Sequence, residues 1–166
     1  MLQHVIDSPI GPLTLVADDA GLREIRFGGD DARQPSQPSQ PGAVAHPVLA
    51  ATVRQLEEYF AGARTEFDLP LAPRGTPFQL AAWEALRAIP HATTVSYGQQ
   101  ARGLGHPAGT ARAIGAANGQ NPLPIVVPCH RVIGADGRLT GFGGGLETKA
   151  WLLDHEQRVA GRQLPF

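Results

Sequence analysis

Two short runs near the start of the chain, Leu13-Thr14-Leu15-Val16-Ala17 and Leu22-Arg23-Glu24-Ile25-Arg26-Phe27, alternate in polarity on either side of Asp18-Asp19-Ala20-Gly21. They predict a β-hairpin with a glycine-bearing turn. From Pro47 to Ala61, Val48, Leu49, Val53, Leu56 and Phe60 recur at helical spacing behind a proline suited to a first helical turn. Glu66 to Leu71 has the composition of a further strand. Thr76-Pro77-Phe78-Gln79 combines an N-cap hydroxyl, a proline at the first helical position and a glutamine three residues on. The helix it opens carries Phe78, Ala82, Ala85, Leu86 and Ile89 on one face and stops at Pro90. Ser96-Tyr97-Gly98-Gln99 is a second capping box, for a short helix to about Leu104. After a turn from Gly103 to Pro107, Ala108 to about Asn118 reads as its partner in a helix-turn-helix.

Further on, Ile125-Val126-Val127 is β-branched and uncharged, as a short buried strand requires, and Pro128 ends its ladder. Val132 to Leu139 reads as a hairpin about Asp136-Gly137. Gly141 to Gly145 is a flexible loop around Phe142. Leu146 to about His155 forms the last helix, on which Leu152 and Glu156 share a side. The fold class is therefore α+β: a small N-terminal α/β domain with antiparallel strands over 1–73, and a mostly helical C-terminal domain containing the helix-turn-helix over 74–166. Turn residues from Pro70 to Arg74 mark the boundary. Within the first domain, 28–47 repeats Pro, Ser and Gln with almost no large apolar residue, and it is expected to be a mobile surface loop.

Charge sharpens this division. The net charge of −1 resolves into −5 for Met1 to Leu69 and +4 for Pro70 to Phe166. A basic half suits a polyanion partner, although an unevenly charged solvated surface accounts for it equally well. The N-terminus lacks a basic segment followed by an apolar run, and no apolar stretch is long enough to span a bilayer, so a cytoplasmic protein without a membrane partner is expected. One cysteine excludes an internal disulfide and multi-thiolate zinc sites. None of the six histidines pairs with another at helical ligand spacing, so no metal is expected.

The candidate chemistry centres on that single thiol. A lone cysteine is most often a small buried hydrophobe. Cys129, however, is followed by His130 and Arg131, and a base or positive charge nearby is what generates a thiolate. Adjacent side chains in an extended chain diverge, so the pair needs a bend or a bridging water to communicate, and Pro128 favours a bend. The helix after Ala108 is built of Ala and Gly with Arg112 as its only charge. It lacks the long polar side chains that read a major groove, while small residues allow close backbone approach to sugar and phosphate, as in minor-groove binding. Tight helix packing would use the same residues. Glu156, taken alone, is expected to be exposed.

Pro128-Cys129-His130-Arg131-Val132, preceded by Asn121-Pro122, resembles the active-site signature of the O6-alkylguanine-DNA alkyltransferases, or methylated-DNA–protein-cysteine methyltransferases. The likeness runs from about Arg74 to about Glu156. It includes Arg74-Gly75-Thr76-Pro77-Phe78-Gln79, Ser96-Tyr97-Gly98, Ala111-Arg112-Ala113, Gly141-Phe142-Gly143-Gly144-Gly145, Lys149 and Trp151-Leu152-Leu153; the first seventy or so residues match loosely. The resemblance implies a protein that flips O6-alkylguanine out of double-stranded DNA, held at its minor groove. The alkyl group then passes irreversibly to the protein's own Cys129, a suicide reaction needing no cofactor.

By the same resemblance, Cys129, His130 and Glu156 form a relay and Asn121 fixes the cysteine loop. Tyr97 donates to the leaving guanine, and the carbonyls of Cys129 and Val132 accept from its exocyclic amine. Arg112 is the intercalating finger, with Ala111, Ala113, Gly115 and Ser96 at the DNA face. Pro124, Phe142, Gly143 and Gly144 shape the pocket with Tyr97 and Val132, and Lys149 buttresses the loop. Many members carry hydroxyls where Phe142 and Gly143 stand, so only backbone roles carry over there, and the Gly103 to Pro107 turn is one residue longer than in some relatives. The protein is expected to be a monomer in solution. Preferred alkyl size, action on O4-alkylthymine and cooperative assembly on DNA are not legible in the sequence. Two other classes compete: a non-catalytic, alkyltransferase-like lesion binder, which the presence of Cys129 disfavours, and a cysteine hydrolase, disfavoured because its base usually comes from a distant part of the chain.

Overall fold

Residues 1–28 and 45–162 are described by a computed structural model of the chain. They divide into two separately packed units, Met1–Arg74 and Gly75–Phe166. In the first, β1 (Leu2–Ile6), β2 (Leu13–Asp18) and β3 (Gly21–Phe27) form an antiparallel meander in the order β1-β2-β3. The hairpin expected from alternation is β2–β3, with Leu15 opposite Ile25 and a bulge at Val16/Ala17. β1 adds a strand that the sequence reading left unassigned.

Helix α1 (Pro47–Phe60) lies on β2 and β3. Pro47 occupies its first turn and His46 caps it, Nδ1 accepting from the Val48 amide at 3.3 Å. Its buried side chains are Leu49, Thr52, Gln55, Leu56 and Tyr59, whereas Val48, Val53 and Phe60 of the expected face are half-buried. The face is rotated because Gln55 is turned inward, donating to the Asp68 carbonyl and accepting from the Asp68 amide, both at 2.9 Å. Those two bonds hold the 66–71 segment, so the strand expected there reduces to one parallel bridge, Leu71 to Leu22. Gly21 (φ +144°) admits that approach, since a Cβ there would lie 2.5 Å from the Pro70 carbonyl oxygen. Of the expected mobile loop 28–47, residues 29–44 lie outside the described residues; Gly28 is tied to Pro12, and His46 and Pro47 belong to the start of α1.

The second unit contains α2 (Pro77–Leu86), β4 (Val95–Ser96), α3 (Tyr97–Gly103), α4 (Ala111–Gly119), β5 (Val132–Ile133) and α5 (Leu146–Arg162). Both capping boxes are formed. The Gln79 amide donates to Thr76 Oγ1 at 3.1 Å and the Gln99 amide to Ser96 Oγ at 3.1 Å, with each glutamine side chain accepting in return. A 3-10 turn over Ala108–Thr110 precedes α4, which therefore starts three residues later than the pattern suggested.

Small residues decide how these helices meet. Ala82, Ala101, Ile114 and Ala117 form one buried cluster against Phe78, Tyr97 and Leu104. Around it a buried amide pair joins α3 to α4: Gln100 Nε2 donates to Asn118 Oδ1 at 3.1 Å, and Asn118 Nδ2 to Gln100 Oε1 at 2.8 Å. Gln100 also donates to the Ala82 carbonyl, and the Trp83 indole donates to the Ala117 carbonyl at 2.8 Å, so α2 joins the same network. The hairpin expected over Val132 to Leu139 is absent. A turn does close at Asp136-Gly137, through Gly134 N to Arg138 O at 2.8 Å, but Val132 and Ile133 pair in parallel with Val95 and Ser96 instead. α5 continues to Arg162, past the expected end near His155.

Because Asn118 Nδ2 is the donor that satisfies the buried Gln100 Oε1, Asn118→Ala should cost about 1–3 kcal/mol by leaving that oxygen unpaired while Nε2 keeps the Ala82 carbonyl. Urea unfolding checks this; an unchanged midpoint would show that Gln100 finds another partner.

Candidate active site

The thiol loop differs in kind from the strand expected of it. Ile125, Val126 and Val127 are buried but form a tight turn, with the Val126 amide on the Pro124 carbonyl at 2.9 Å and the Val127 amide on the Leu123 carbonyl at 2.8 Å. Ile125 sits at φ +75°, a conformation that β-branched residues rarely adopt. Asn121 brackets the turn: its Nδ2 donates to the Val127 carbonyl at 2.9 Å while its Oδ1 accepts from the Leu123 amide at 3.0 Å. Prolines at 122, 124 and 128 remove the amides a ladder would need. A short 3-10 turn, Cys129–Arg131, follows at once, so consecutive side chains splay around an axis rather than alternating.

His130 and Arg131 converge on α5. His130 Nε2 lies 2.7 Å from Glu156 Oε2, and Arg131 grips the same carboxylate with Nε on Oε1 at 2.9 Å and Nη2 on Oε2 at 3.0 Å. The Ala92 amide adds a further donor to Oε1 at 3.1 Å, and Arg131 Nη1 donates to the Ile89 carbonyl at 2.7 Å. Glu156 and His130 are completely buried and Arg131 almost so. A carboxylate can only accept, so Nε2 carries the imidazole proton and Nδ1 is left as an acceptor. Nδ1 is buried with no hydrogen-bond partner among the described residues.

On the other side, Lys149 is completely buried, its Nζ donating to the Val132 carbonyl at 2.7 Å and the Thr140 carbonyl at 2.8 Å. It lies 5.8 Å from the centre of the Tyr97 ring. Tyr97 begins α3 directly after β4, so the β4–β5 pairing sets it beside the strand leaving the cysteine turn. Its hydroxyl meets Thr140 twice, accepting from Oγ1 at 3.0 Å and donating to the carbonyl at 3.3 Å.

This sulfur-centred geometry sits in a chain whose two halves each match a domain of one protein class. The DNA-binding domain of 6-O-methylguanine DNA methyltransferase matches 77–158, and its ribonuclease-like domain matches 1–73. A methylated-DNA–protein-cysteine methyltransferase of Mycolicibacterium paratuberculosis is 51% identical over 156 residues, covering 93% of this chain and 92% of that protein. One from Mycobacterium bovis is 49% identical over 158 residues, covering 95% and 93%. The chain belongs to the methylated-DNA–protein-cysteine methyltransferase family. Among solved structures it is similar to Mycobacterium tuberculosis OGT in complex with DNA, with a TM-score of 0.83 at 48% identity over 95% of this chain and 93% of that one.

Within this family member, the residues singled out from the sequence fall into two groups. Cys129, His130, Glu156, Asn121, Pro124, Val132 and Lys149 lie in or against the cysteine turn, and Tyr97 is reached from Val132 through Lys149. Glu156 is buried, against the exposure expected of a carboxylate taken alone, because His130 and Arg131 supply its charge and donors. Phe142 and Gly144 are half-buried and Gly143 is exposed. On α4, Arg112 and Ala113 are exposed and Ala111 is half-buried. Gly115 faces Tyr97, where a Cβ would lie 3.7 Å from the ring, and Ser96 uses its hydroxyl to cap α3. Two contributors escaped the sequence reading. Arg131 was visible beside the thiol but its grip on Glu156, 25 residues away, was not; Thr140 lies 43 residues from Tyr97 and carries no local signal.

Electrostatics follow from burial. Desolvation raises the Cys129 thiol above its usual range, against a hydrogen bond from Asn121 and the charge of Lys149, so the resting group is a thiol. Desolvation also pushes His130 below its usual imidazole value, outweighing the upward pull of Glu156, and keeps it neutral. For Glu156, burial alone would favour the acid, but His130 and Arg131 together hold the carboxyl well below the usual carboxylate range.

Both shifts are depressions, so acid protonates the unfolded chain before the folded one. Stability should therefore fall as pH drops below the ordinary imidazole value of 6.5 and again through the carboxylate range, as a series of urea midpoints would record. Glu156→Ala, which strands the buried Arg131 guanidinium, should cost about 3–5 kcal/mol. Retention of the wild-type midpoint in that variant would mean the fork carries little of the fold.

Proposed function

We propose that this protein repairs DNA by drawing an O6-alkylguanine out of the duplex from the minor groove and moving its alkyl group onto Cys129, where it remains. The observation that carries the reading is the neutral His130, held by Glu156 with Nδ1 left as an acceptor next in sequence to a buried thiol. A protonated thiol in a desolvated turn needs a base, and His130 supplies one. Among the described residues no direct bond joins the two, so the proton passes through a bridging water.

The step balances as a displacement. Sulfur attacks the alkyl carbon, the carbon–O6 bond breaks and its electron pair passes to the purine; the thiol proton rests on His130, and Tyr97 donates a proton toward the ring so that guanine leaves neutral. The imidazolium formed on His130 is stabilised by Glu156, whose charge Arg131 shares. Val132 offers its carbonyl to the exocyclic amine with one lone pair already engaged by Lys149, and Cys129 offers the other. Pro124, Phe142, Gly143 and Gly144 bound the base. A thioether is a poor leaving group, so each molecule reacts once and no cofactor takes part.

Extrusion of the base leaves a gap in the stack that must be filled. Arg112, exposed in the first turn of α4 and unpaired among the described residues, is the side chain available to fill it, while Ala111 and Ala113 allow close approach of the helix to the backbone. The protein acts as a cytoplasmic monomer. No helix among the described residues is long and apolar enough to cross a membrane.

Incubation with a duplex bearing O6-methylguanine should leave one methyl on the peptide containing Cys129, read by mass spectrometry; a bare peptide after the lesion has disappeared would sink the proposal. Cys129→Ser should bind the duplex and transfer nothing. Arg112→Ala should slow repair of duplex DNA far more than reaction with the free alkylated base, and equal losses on both would remove the finger role. The single-turnover rate should hold through neutral pH and fall only in acid, below the ordinary imidazole range, as His130 Nδ1 is protonated and lost as an acceptor.

A further inference from the structure

The loop from Leu139 to Gly145, Leu-Thr-Gly-Phe-Gly-Gly-Gly, contains a single side-chain hydroxyl, that of Thr140. It is not idle. Thr140 Oγ1 donates to the Tyr97 phenol oxygen at 3.0 Å, and the phenol donates in turn to the Thr140 carbonyl at 3.3 Å. These two bonds differ in quality. An O–H···O bond is ordinarily about 2.7–2.8 Å long, so the phenol's own donation is stretched and readily exchanged for a better acceptor. The carbonyl it points at is also already engaged, by Lys149 Nζ at 2.8 Å. The bond that Tyr97 receives is independent of where its own proton goes.

We propose that Thr140 is a positioning residue for alkyl transfer, holding the Tyr97 phenol with its proton free to turn from the Thr140 carbonyl to the leaving guanine. This rests on the reading that Tyr97 protonates the purine. As the carbon–O6 bond breaks and the purine gains its electron pair, negative charge builds on the phenol oxygen in proportion to the proton it gives up. A donor already aimed at that oxygen stabilises the charge, and a phenol that accepts a hydrogen bond donates a stronger one. Lys149, with Nζ 5.8 Å from the ring centre, adds a fixed positive charge on the same side. The proton lost by Tyr97 is restored from solvent, to which Thr140 is exposed.

Loss of one neutral hydrogen bond corresponds to about a three- to tenfold change in rate. Thr140→Val keeps the shape and removes the donor, so its single-turnover rate with O6-methylguanine in duplex DNA should fall by about that factor while duplex affinity is unchanged. Thr140→Ser should restore the rate. Thr140 is exposed, so thermal unfolding of both variants should match wild type. Alkylation of Cys129 by iodoacetamide, whose halide leaves without a proton, should proceed equally in wild type and Thr140→Val; a loss there would assign Thr140 to the thiol or the loop and overturn the inference. The deciding comparison adds Tyr97→Phe. Where Tyr97→Phe is slow and Thr140→Val slows it no further, the two act through one proton; where the losses multiply, Thr140 acts elsewhere and the inference fails while the role of Tyr97 stands. A Tyr97→Phe variant as fast as wild type overturns both.

Discussion

One carboxylate organises the second unit. Glu156 is withdrawn from water on α5, and a bare buried charge of that kind is tolerated only if opposite charge and donors meet it. Arg131, His130 and the Ala92 amide do so, the first two from the cysteine turn and the third from the stretch after α2. The ionised carboxyl in turn sets the imidazole tautomer, and the tautomer leaves Nδ1 as the acceptor nitrogen. One network thus does two things, because the group that ties the cysteine turn to α5 also fixes the orientation of the His130 imidazole.

Turn geometry does for the sulfur what a strand end would not. An extended chain would send Cys129 and His130 to opposite sides. The 3-10 turn instead lets His130 and Arg131 reach Glu156 while Cys129 remains in the cysteine turn, 8% exposed. Asn121 makes this possible by replacing ladder bonds with its own amide, and it reaches the thiol as well, where its hydrogen bond favours the thiolate that burial opposes. Lys149 favours it too, from the opposite side, while tying Val132 to Thr140.

The small residues of α4 serve two surfaces. Ala117 is buried in the helix cluster beneath the Trp83 indole bond and Gly115 lies under the Tyr97 ring, whereas Ala113 and Ala116 face outward beside Arg112. Of the two explanations offered by composition, close packing accounts for the buried side of the helix, and the exposed side carries the small residues that close approach to a backbone would use. The buried Gln100–Asn118 amide pair and the Trp83 indole bond tie this helix to α3 and α2.

Local chemistry was enough to locate the helix starts at Thr76 and Ser96, the β2–β3 hairpin and the Asp136-Gly137 turn, since each depends on neighbours within a few residues. The family resemblance was equally local, carried by Cys129 between a proline and a histidine. Long-range pairing decided the rest. Ile125 to Val127 had the composition of a strand, but prolines remove the ladder amides and the Asn121 amide brackets a turn instead. Val132 and Ile133 found β4 rather than a hairpin return; Glu66 to Leu71 was held by the Gln55 side chain; and Glu156, exposed by any local estimate, was drawn inside by the Arg131 charge together with donors from His130 and Ala92. Sequence periodicity records which residues prefer burial, whereas the burial of a charge depends on counter-charges that only the folded chain assembles.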